Sequence, residues 1–425
     1  MYVLYSFAYT LFLGILWIAS FFDAKVREGL RGRKNLQREI EEHYVSVAKE
    51  RKRILIHVAS FGELEQAKPA VARLKEQHPD CHIHLTFFSP SGYVNAKGKY
   101  TAPDIITYTP FDTHRAVNIF LDVVQPDLAL YVRYDIWFVM ARELSKRKIP
   151  AILFSATYSE HGLKNYPLLR ILYRKTYDTL SHIFTIGEND ANALVKLGIT
   201  KEKISIAGDT RSDQVLTRKQ DAEGKPDILP EPFLLELRKP NVKTLVAGST
   251  WEADEEVILS SILERTNDAL RVIIVPHEIT NEHLNSLLAR CNNKAILSSD
   301  IAKYDSEPIL IWDKVGDLFS LYRYADIGYV GGGFGDGVHN VLEPAVWGVP
   351  SIVGPNHERS QEIGELITRG GLKEVRNKND FAETLEQLID KNDEWQKTSD
   401  ATTDYLKERT GATEKVMDGI SRLEF

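Results

Sequence analysis

The sequence predicts two successive parallel α/β arrays behind a short apolar N-terminal helix. Short apolar runs alternate with segments of helical periodicity over residues 53–185 and again over residues 244–353, the pattern of doubly wound parallel sheets. Between them, residues 218–240 lose that periodicity to charge and prolines. A chain of 425 residues is long enough for two domains with separate cores. The net charge of −7 speaks against general nucleic-acid binding, which usually needs a basic domain. Cys81 and Cys291 form no C-x-x-C pair, so neither a disulfide framework nor a structural zinc site is expected, and a reducing cytosolic setting fits.

Residues 2–22 carry no charged side chain and have about the length a helix needs to cross the hydrocarbon layer. Lys25, Arg27, Arg31, Arg33 and Lys34 follow Asp23, which predicts an anchor in the inner membrane with the remainder facing the cytoplasm. A cleavable signal peptide would carry its cations before the apolar core. Tyr2, Tyr5, Tyr9 and Trp17 also suit a helix lying in the membrane interface. Residues 35–53 read as a solvated helix and connector. Strands are expected at 53–59, 82–88, 105–108, 128–132, 151–154 and 182–185, with helices at 64–75, 111–124 and 136–146. The second array offers strands at 244–247, 271–275, 309–312, 327–330 and 350–353, and helices at 255–264 and 282–290. Residues 377–425 read as helices, and a segment within 398–423 is expected to return to the first lobe. The expected division is an anchor at 1–24, a first lobe at 25–205 and a second at 206–425.

Ligands of open α/β sheets bind beyond the carboxyl ends of strands, and each array carries a motif there. In the second, residues 328–344 read G-Y-V-G-G-G-F-G-D-G-V-H-N-V-L-E-P. Gly331, Gly332, Gly333, Gly335 and Gly337 let a backbone approach a ligand closely, and a helix opening at Asn340, Leu342 and Glu343 would offer N–H groups to a phosphate. The spacing is neither G-x-G-x-x-G nor a Walker loop. In the first array, Ser60-Phe61-Gly62-Glu63 places a carboxylate at a helix start. An active site in the cleft between the lobes is the expectation. No Asp-x-Asp or His cluster is present, so no metal is expected.

Seven segments in order carry a resemblance. H-V-A-S-F-G-E (residues 57–63) resembles the H-A-A-S-x-G-E motif of the 3-deoxy-D-manno-octulosonic acid (Kdo) transferases, and F-F-S-P-S-G and Y-T-P-F-D resemble T-x-T-P-T-G and Y-x-P-x-D. A-G-D-T-R-S-D (residues 207–213) is similar to G-N-x-K-x-D, and A-G-S-T-W-E-A-D-E-E (residues 247–256) to A-x-S-T-H-x-G-E-E. V-P-H-E and H-N-V-L-E-P are similar to P-R-H-P-E and H-N-P-L-E-P. The resemblance implies a GT-B fold, two Rossmann-like lobes, and inverting transfer of Kdo from CMP-Kdo to a lipid A precursor at the cytoplasmic membrane, in lipopolysaccharide synthesis. It implies no cofactor beyond the donor substrate. Glu63 would be the general base, with Ser60 and Gly62 on the acceptor side. Arg211, Ser249, Thr250, His277, Gly332, Gly333, His339, Asn340 and Glu343 would hold the donor, Glu343 at the ribose and Asn340 near the phosphate.

The first array departs from the family. Its E-T-E-x-W-P segment stands here as Arg133-Tyr134-Asp135-Ile136-Trp137-Phe138. A cation replaces the first carboxylate, and Asp135 retains the second role with a shorter side chain. The N-x-R segment becomes Ser155-Ala156-Thr157, which removes a positive group that Arg133, counted with the acceptor-side residues, would then supply in the acceptor or donor site. Two other readings stay open: a GT-B enzyme using a UDP-sugar, and a membrane-tethered nucleotide-sugar-binding protein without catalysis.

Overall fold

The computed structural model describes residues 2–158, 166–263, 269–358 and 360–423. The chain divides into two compact units, Met1–Gln214 together with Thr410–Phe425, and Val215–Arg409. This division falls after Gln214, beyond the boundary expected at 205/206, and it assigns Arg211 to the first unit.

The first unit holds seven strands: β1 (Arg53–Val58), β2 (His82–Phe87), β3 (Ile105–Tyr108), β4 (Leu128–Val132), β5 (Ala151–Ala156), β6 (His182–Thr185) and β7 (Ile204–Ile206). All pairs are parallel, in the order β3-β2-β1-β4-β5-β6-β7. The second unit repeats the plan with β8 (Lys243–Thr250), β9 (Leu270–Pro276), β10 (Ala295–Leu297), β11 (Ile309–Ile311), β12 (Ile327–Val330), β13 (Ser351–Val353) and β14 (Leu372–Glu374), in the order β10-β11-β9-β8-β12-β13-β14. Helices cover both faces of a parallel sheet, so central strands are buried on both sides. All six residues of β1 are buried, for example. This is the fold class the alternation predicts.

The differences are local. Strands β7, β10 and β14, three residues each and all at sheet edges, were not expected from the sequence. Helices Thr210–Glu223 and Glu231–Leu237 occupy much of the stretch read as a pause. Helix Leu36–Tyr44 is not merely solvated: Leu36, Ile40 and Tyr44 are buried against the first core. The C-terminal helix Ala412–Ser421 inserts Val416, Met417 and Ile420 into that unit's second apolar cluster. Gly411 and Thr413 donate their backbone N–H groups to Asp213 at 2.7 and 2.6 Å.

The apolar N-terminal run forms helix Tyr2–Ala19, and its two faces differ. Tyr2, Tyr5 and Tyr9 recur at helical spacing and dock on the first unit. Tyr5 donates its hydroxyl to Asp112 at 2.6 Å, and the Asp112 backbone N–H donates to the Tyr9 hydroxyl at 3.1 Å. Tyr9 meets Trp137 edge-on, and Arg142 lies over the Tyr2 ring. Asp112 also accepts the N–H groups of Val139 and Met140. The other face leaves Val3, Phe7, Leu11, Ile15 and Ile18 exposed. Arg27 closes the end by donating to the carbonyls of Ser20 and Phe21, and Asp23 caps the next helix, Ala24–Lys34.

Candidate active site

Doubly wound sheets bind ligands where the strand order reverses. In the first unit that point lies between β1 and β4, the strands that precede Glu63 and Arg133. The chain leaves β1 through Ala59, and Ser60 caps helix Phe61–Gln77 by accepting from the Glu63 N–H. The Glu63 side chain turns back to accept the Ala59 N–H. It is only 3% exposed. Burial pushes its carboxyl above the ordinary range; the Ala59 hydrogen bond opposes this, the nearby Asp135 adds to it, and His57 and Arg133 oppose it. A Cβ on Gly62 would meet nothing nearer than Ser60 Oγ at 3.8 Å.

Asp135 is held by a residue that the sequence motif contains but that sequence reasoning did not assign to the site. His57 Nε2 lies 3.1 Å from Asp135 Oδ2, and Trp137 Nε1 lies 3.3 Å from the same nitrogen. The other ring nitrogen faces the hydroxyls of Thr86 and Thr109 at 3.0 and 2.8 Å. Nε2 thus lies between a carboxylate, which would take an N–H from it, and an indole N–H, which would donate to it. The Arg211 guanidinium is held by Asp209 through Nε at 2.9 Å and Nη2 at 2.7 Å, and Asp209 also accepts from Gln66 at 3.0 Å. Arg211 therefore joins a network of the first unit.

In the second unit the order reverses between β8 and β12, the strands that precede Ser249-Thr250 and Gly331. The close approach of these two strand ends explains the glycines. A Cβ on Gly331 would fall 2.2 Å from the Ser249 carbonyl oxygen, and one on Gly333 would fall 2.5 Å from the Gly354 nitrogen. Gly332 and Gly337 take φ of +91° and +133°, which glycine adopts without strain. Asp254, fully buried, ties the turn together. It accepts from the Gly332 and Trp251 N–H groups at 2.8 and 2.9 Å and from the Tyr329 hydroxyl at 2.7 Å. Neither Asp254 nor Trp251 was singled out from the sequence, although both lie in the A-G-S-T-W-E-A-D-E-E segment.

His277 stacks between the rings of Trp251 and His339, with centroids 4.6 and 4.5 Å away. Trp251 donates its indole N–H to His339 Nε2 at 3.1 Å. Burial and the neighbouring His277 push the His339 pKa down, which suits a neutral ring that accepts. The Thr250 hydroxyl does not face outward as a free donor. It donates to Glu255, a buried carboxylate that also binds His283 and Arg290. Ser249 takes φ +53° at a register shift of β8.

The helix expected to open at Asn340 is a single turn, Leu342–Ala345, with Glu343 its second residue. Asn340 accepts the Leu342 N–H at 3.1 Å, so that one of the N–H groups expected to face a phosphate is already engaged. One Glu343 carboxylate oxygen receives Arg218 at 2.9 Å, and the Arg218 guanidinium lies 4.1 Å from the Phe319 ring centroid. Among the described residues no three His, Cys, Asp or Glu side chains gather in a way that could hold a metal ion.

A profile of the 3-deoxy-D-manno-octulosonic-acid transferase (kdotransferase) family matches residues 35–214. The chain is 26% identical over 376 residues to the 3-deoxy-D-manno-octulosonic acid transferase of Haemophilus influenzae, covering 86% of each chain. It is 27% identical over 341 residues to the transferase of the same description from Aquifex aeolicus, covering 79% of this chain and 85% of that one. Among solved structures, UDP-GlcNAc 2-epimerase from Neisseria meningitidis superimposes with a TM-score of 0.62 at 15% identity, covering 87% of this chain and 100% of that one. That likeness concerns the fold, two Rossmann-like units of the GT-B class. The motifs at both strand-order reversals, the profile and the relatives agree: over residues 35–214 the chain matches the 3-deoxy-D-manno-octulosonic acid transferase family, over most of its length it is similar to transferases of that description, and it is a glycosyltransferase.

Proposed function

We propose that the chain transfers Kdo from CMP-Kdo to a hydroxyl of a lipid A precursor, with inversion, in lipopolysaccharide synthesis. The observation that carries this reading is Glu63, a buried carboxylate at the strand-order reversal of the first sheet, in a chain similar to Kdo transferases. The acceptor oxygen forms the new bond to the anomeric carbon as the bond to the CMP phosphate oxygen breaks, and CMP leaves with that electron pair. Glu63 takes the acceptor proton, which requires it ionised and within hydrogen-bond reach of the hydroxyl. Asp135, oriented by His57, keeps a second negative charge nearby that favours proton uptake by Glu63. In the second unit, the ordered turn around Asp254 presents the glycine backbone to the donor phosphate, and Glu343 accepts from ribose hydroxyls after sharing its carboxylate with Arg218. No cofactor beyond the donor enters this reaction.

Helix Tyr2–Ala19 supports the membrane arrangement in this reading. With one face docked through Tyr2, Tyr5 and Tyr9, the helix lies along the cytoplasmic leaflet of the inner membrane and buries its exposed apolar face among the lipids. Lys25, Arg31 and Lys34 add attraction to anionic headgroups, each worth about 1 kcal/mol near the surface.

Incubating the purified protein with CMP-Kdo and a tetraacylated lipid A precursor tests the reaction. The expected result is stoichiometric CMP and a lipid heavier by one or more Kdo residues. Transfer from a UDP-sugar with none from CMP-Kdo would replace this reading with the other GT-B one, and binding of donor without turnover would favour a non-catalytic protein.

A further inference from the structure

We infer that Arg133 binds the carboxylate of the donor sugar and makes the enzyme selective for an acidic ketose at the reacting carbon. The inference rests on the proposed Kdo transfer. Its first support is placement. The β1–β4 register pairs His57 with Tyr131, and continuing it two residues sets Arg133 level with Ala59, on strands about 4.8 Å apart. Ala59 is the residue whose N–H holds the Glu63 carboxylate.

The second support is a pinned backbone. The Arg133 N–H donates to the Phe154 carbonyl at 3.0 Å, and its own carbonyl accepts the Thr157 N–H at 3.2 Å. Between these bonds the residue takes φ +67°, a conformation that non-glycine residues rarely hold and that collects at functional sites. The third support is a cation left over. Arg133 Nε is buried without a hydrogen-bond partner. Among the described residues the guanidinium makes no hydrogen bond or ion pair, and lies only over the Tyr134 ring at 5.4 Å. The acids around it are engaged elsewhere, Asp135 by His57 and Glu63 by Ala59.

Chemistry then selects the anion. A general base must reach the attacking hydroxyl, and that oxygen bonds to the anomeric carbon. In a 2-ulosonic acid the carboxylate is attached to that same carbon. It therefore enters the site within a few bond lengths of Glu63, where two like charges would repel. A guanidinium beside the base cancels that repulsion and offers the planar fork that fits a carboxylate.

The test uses the full-length protein in detergent with saturating acceptor. Donors are CMP-Kdo and its analogue with the carboxylate replaced by a carboxamide. Arg133→Gly accepts φ +67° without strain, and Arg133→Lys keeps the charge. Wild type should prefer the carboxylate donor in kcat/KM by about 10–100-fold, the range for a lost hydrogen-bonded charge. Arg133→Gly should lose that preference by slowing the carboxylate donor alone, and Arg133→Lys should recover part of it. Equal losses on both donors would overturn the inference while leaving Kdo transfer intact. So would a loss that appears only when an acceptor phosphate is varied, which would assign Arg133 to the lipid. A wild type inactive on CMP-Kdo would instead remove the proposed reaction, and this inference with it.

Discussion

Replacing Asp254 tests how the glycine turn is held. The side chain is fully buried and accepts three hydrogen bonds, from the Gly332 N–H, the Trp251 N–H and the Tyr329 hydroxyl. Asp254→Ala leaves three buried donors without an acceptor, and each such group costs about 1–3 kcal/mol. The ceiling of roughly 9 kcal/mol is not reached, because water and local shifts recover part of it, and single substitutions rarely cost more than about 5 kcal/mol. We expect a loss of about 3–5 kcal/mol, a large fraction of the stability of an ordinary domain. Asp254→Asn keeps the volume and one acceptor oxygen but turns an NH2 toward donors, so a loss of about 1–3 kcal/mol is expected. Urea denaturation followed by the fluorescence of Trp251 and its fellow tryptophans reads the stability, and KM for the donor reads the turn. Both should worsen in the order wild type, Asn, Ala. An Asp254→Ala protein with an unchanged urea midpoint would refute the claim that this carboxylate organises the turn.

Glu63→Gln should lower kcat by about 10²–10⁴-fold, the usual contribution of a general base, with both KM values little changed. Because burial raises the Glu63 carboxyl, the acid limb of the wild-type pH–rate profile should lie above the ordinary glutamate value of about 4.3. The same shift fixes the sign of a stability effect. A raised folded-state pKa means that stability is fully present below the unfolded value and is lost as pH rises through the folded one. Glu63→Gln should therefore melt higher than wild type at neutral pH, with the difference vanishing in acid; a lower Tm at neutral pH would contradict the burial argument. Gly333→Ala forces a Cβ to 2.5 Å from the Gly354 nitrogen and should cost about 1–3 kcal/mol by overpacking, read by thermal melting and by donor KM. Tyr5→Phe removes a hydrogen bond to the buried Asp112 carboxylate, worth about 1.5–3 kcal/mol. It should make helix Tyr2–Ala19 more sensitive to limited proteolysis in detergent, and unchanged cleavage would count against the docked face.

How much of this was legible in the sequence depended on the range of the forces involved. Strands β1, β4, β8 and β12 lie inside sheets covered on both sides, so each is a run of apolar residues that reads as a strand without any partner in view. Strands β7, β10 and β14 are too short for a period to register, and only pairing with a neighbour makes them strands. Glu63 and the glycine turn were visible because their constraint is local: a cap, a helix start, a backbone too crowded for side chains. His57 and Asp135 are 78 residues apart, and Arg218 and Glu343 are 125 apart. No spacing rule connects such pairs, and the register of parallel strands or the packing of a remote helix has to be known first. The one-turn helix at Leu342–Ala345 failed for the opposite reason. Its apolar continuation looks helical, but Gly348 at φ +71° and Pro350 end it.

The tyrosine staple on the first helix has a consequence for how the enzyme meets a lipid. A helix with side chains is about 10–12 Å across. If half of it is sunk in the leaflet and the other half is bolted to the first sheet through Asp112, the protein rides at a fixed height above the hydrocarbon. An acyl-anchored sugar then needs only to rise through the headgroup layer, with its chains still in the bilayer, and encounter becomes a search in two dimensions. In that proposed arrangement helix Tyr2–Ala19 would act less as a mooring than as a keel that sets draught.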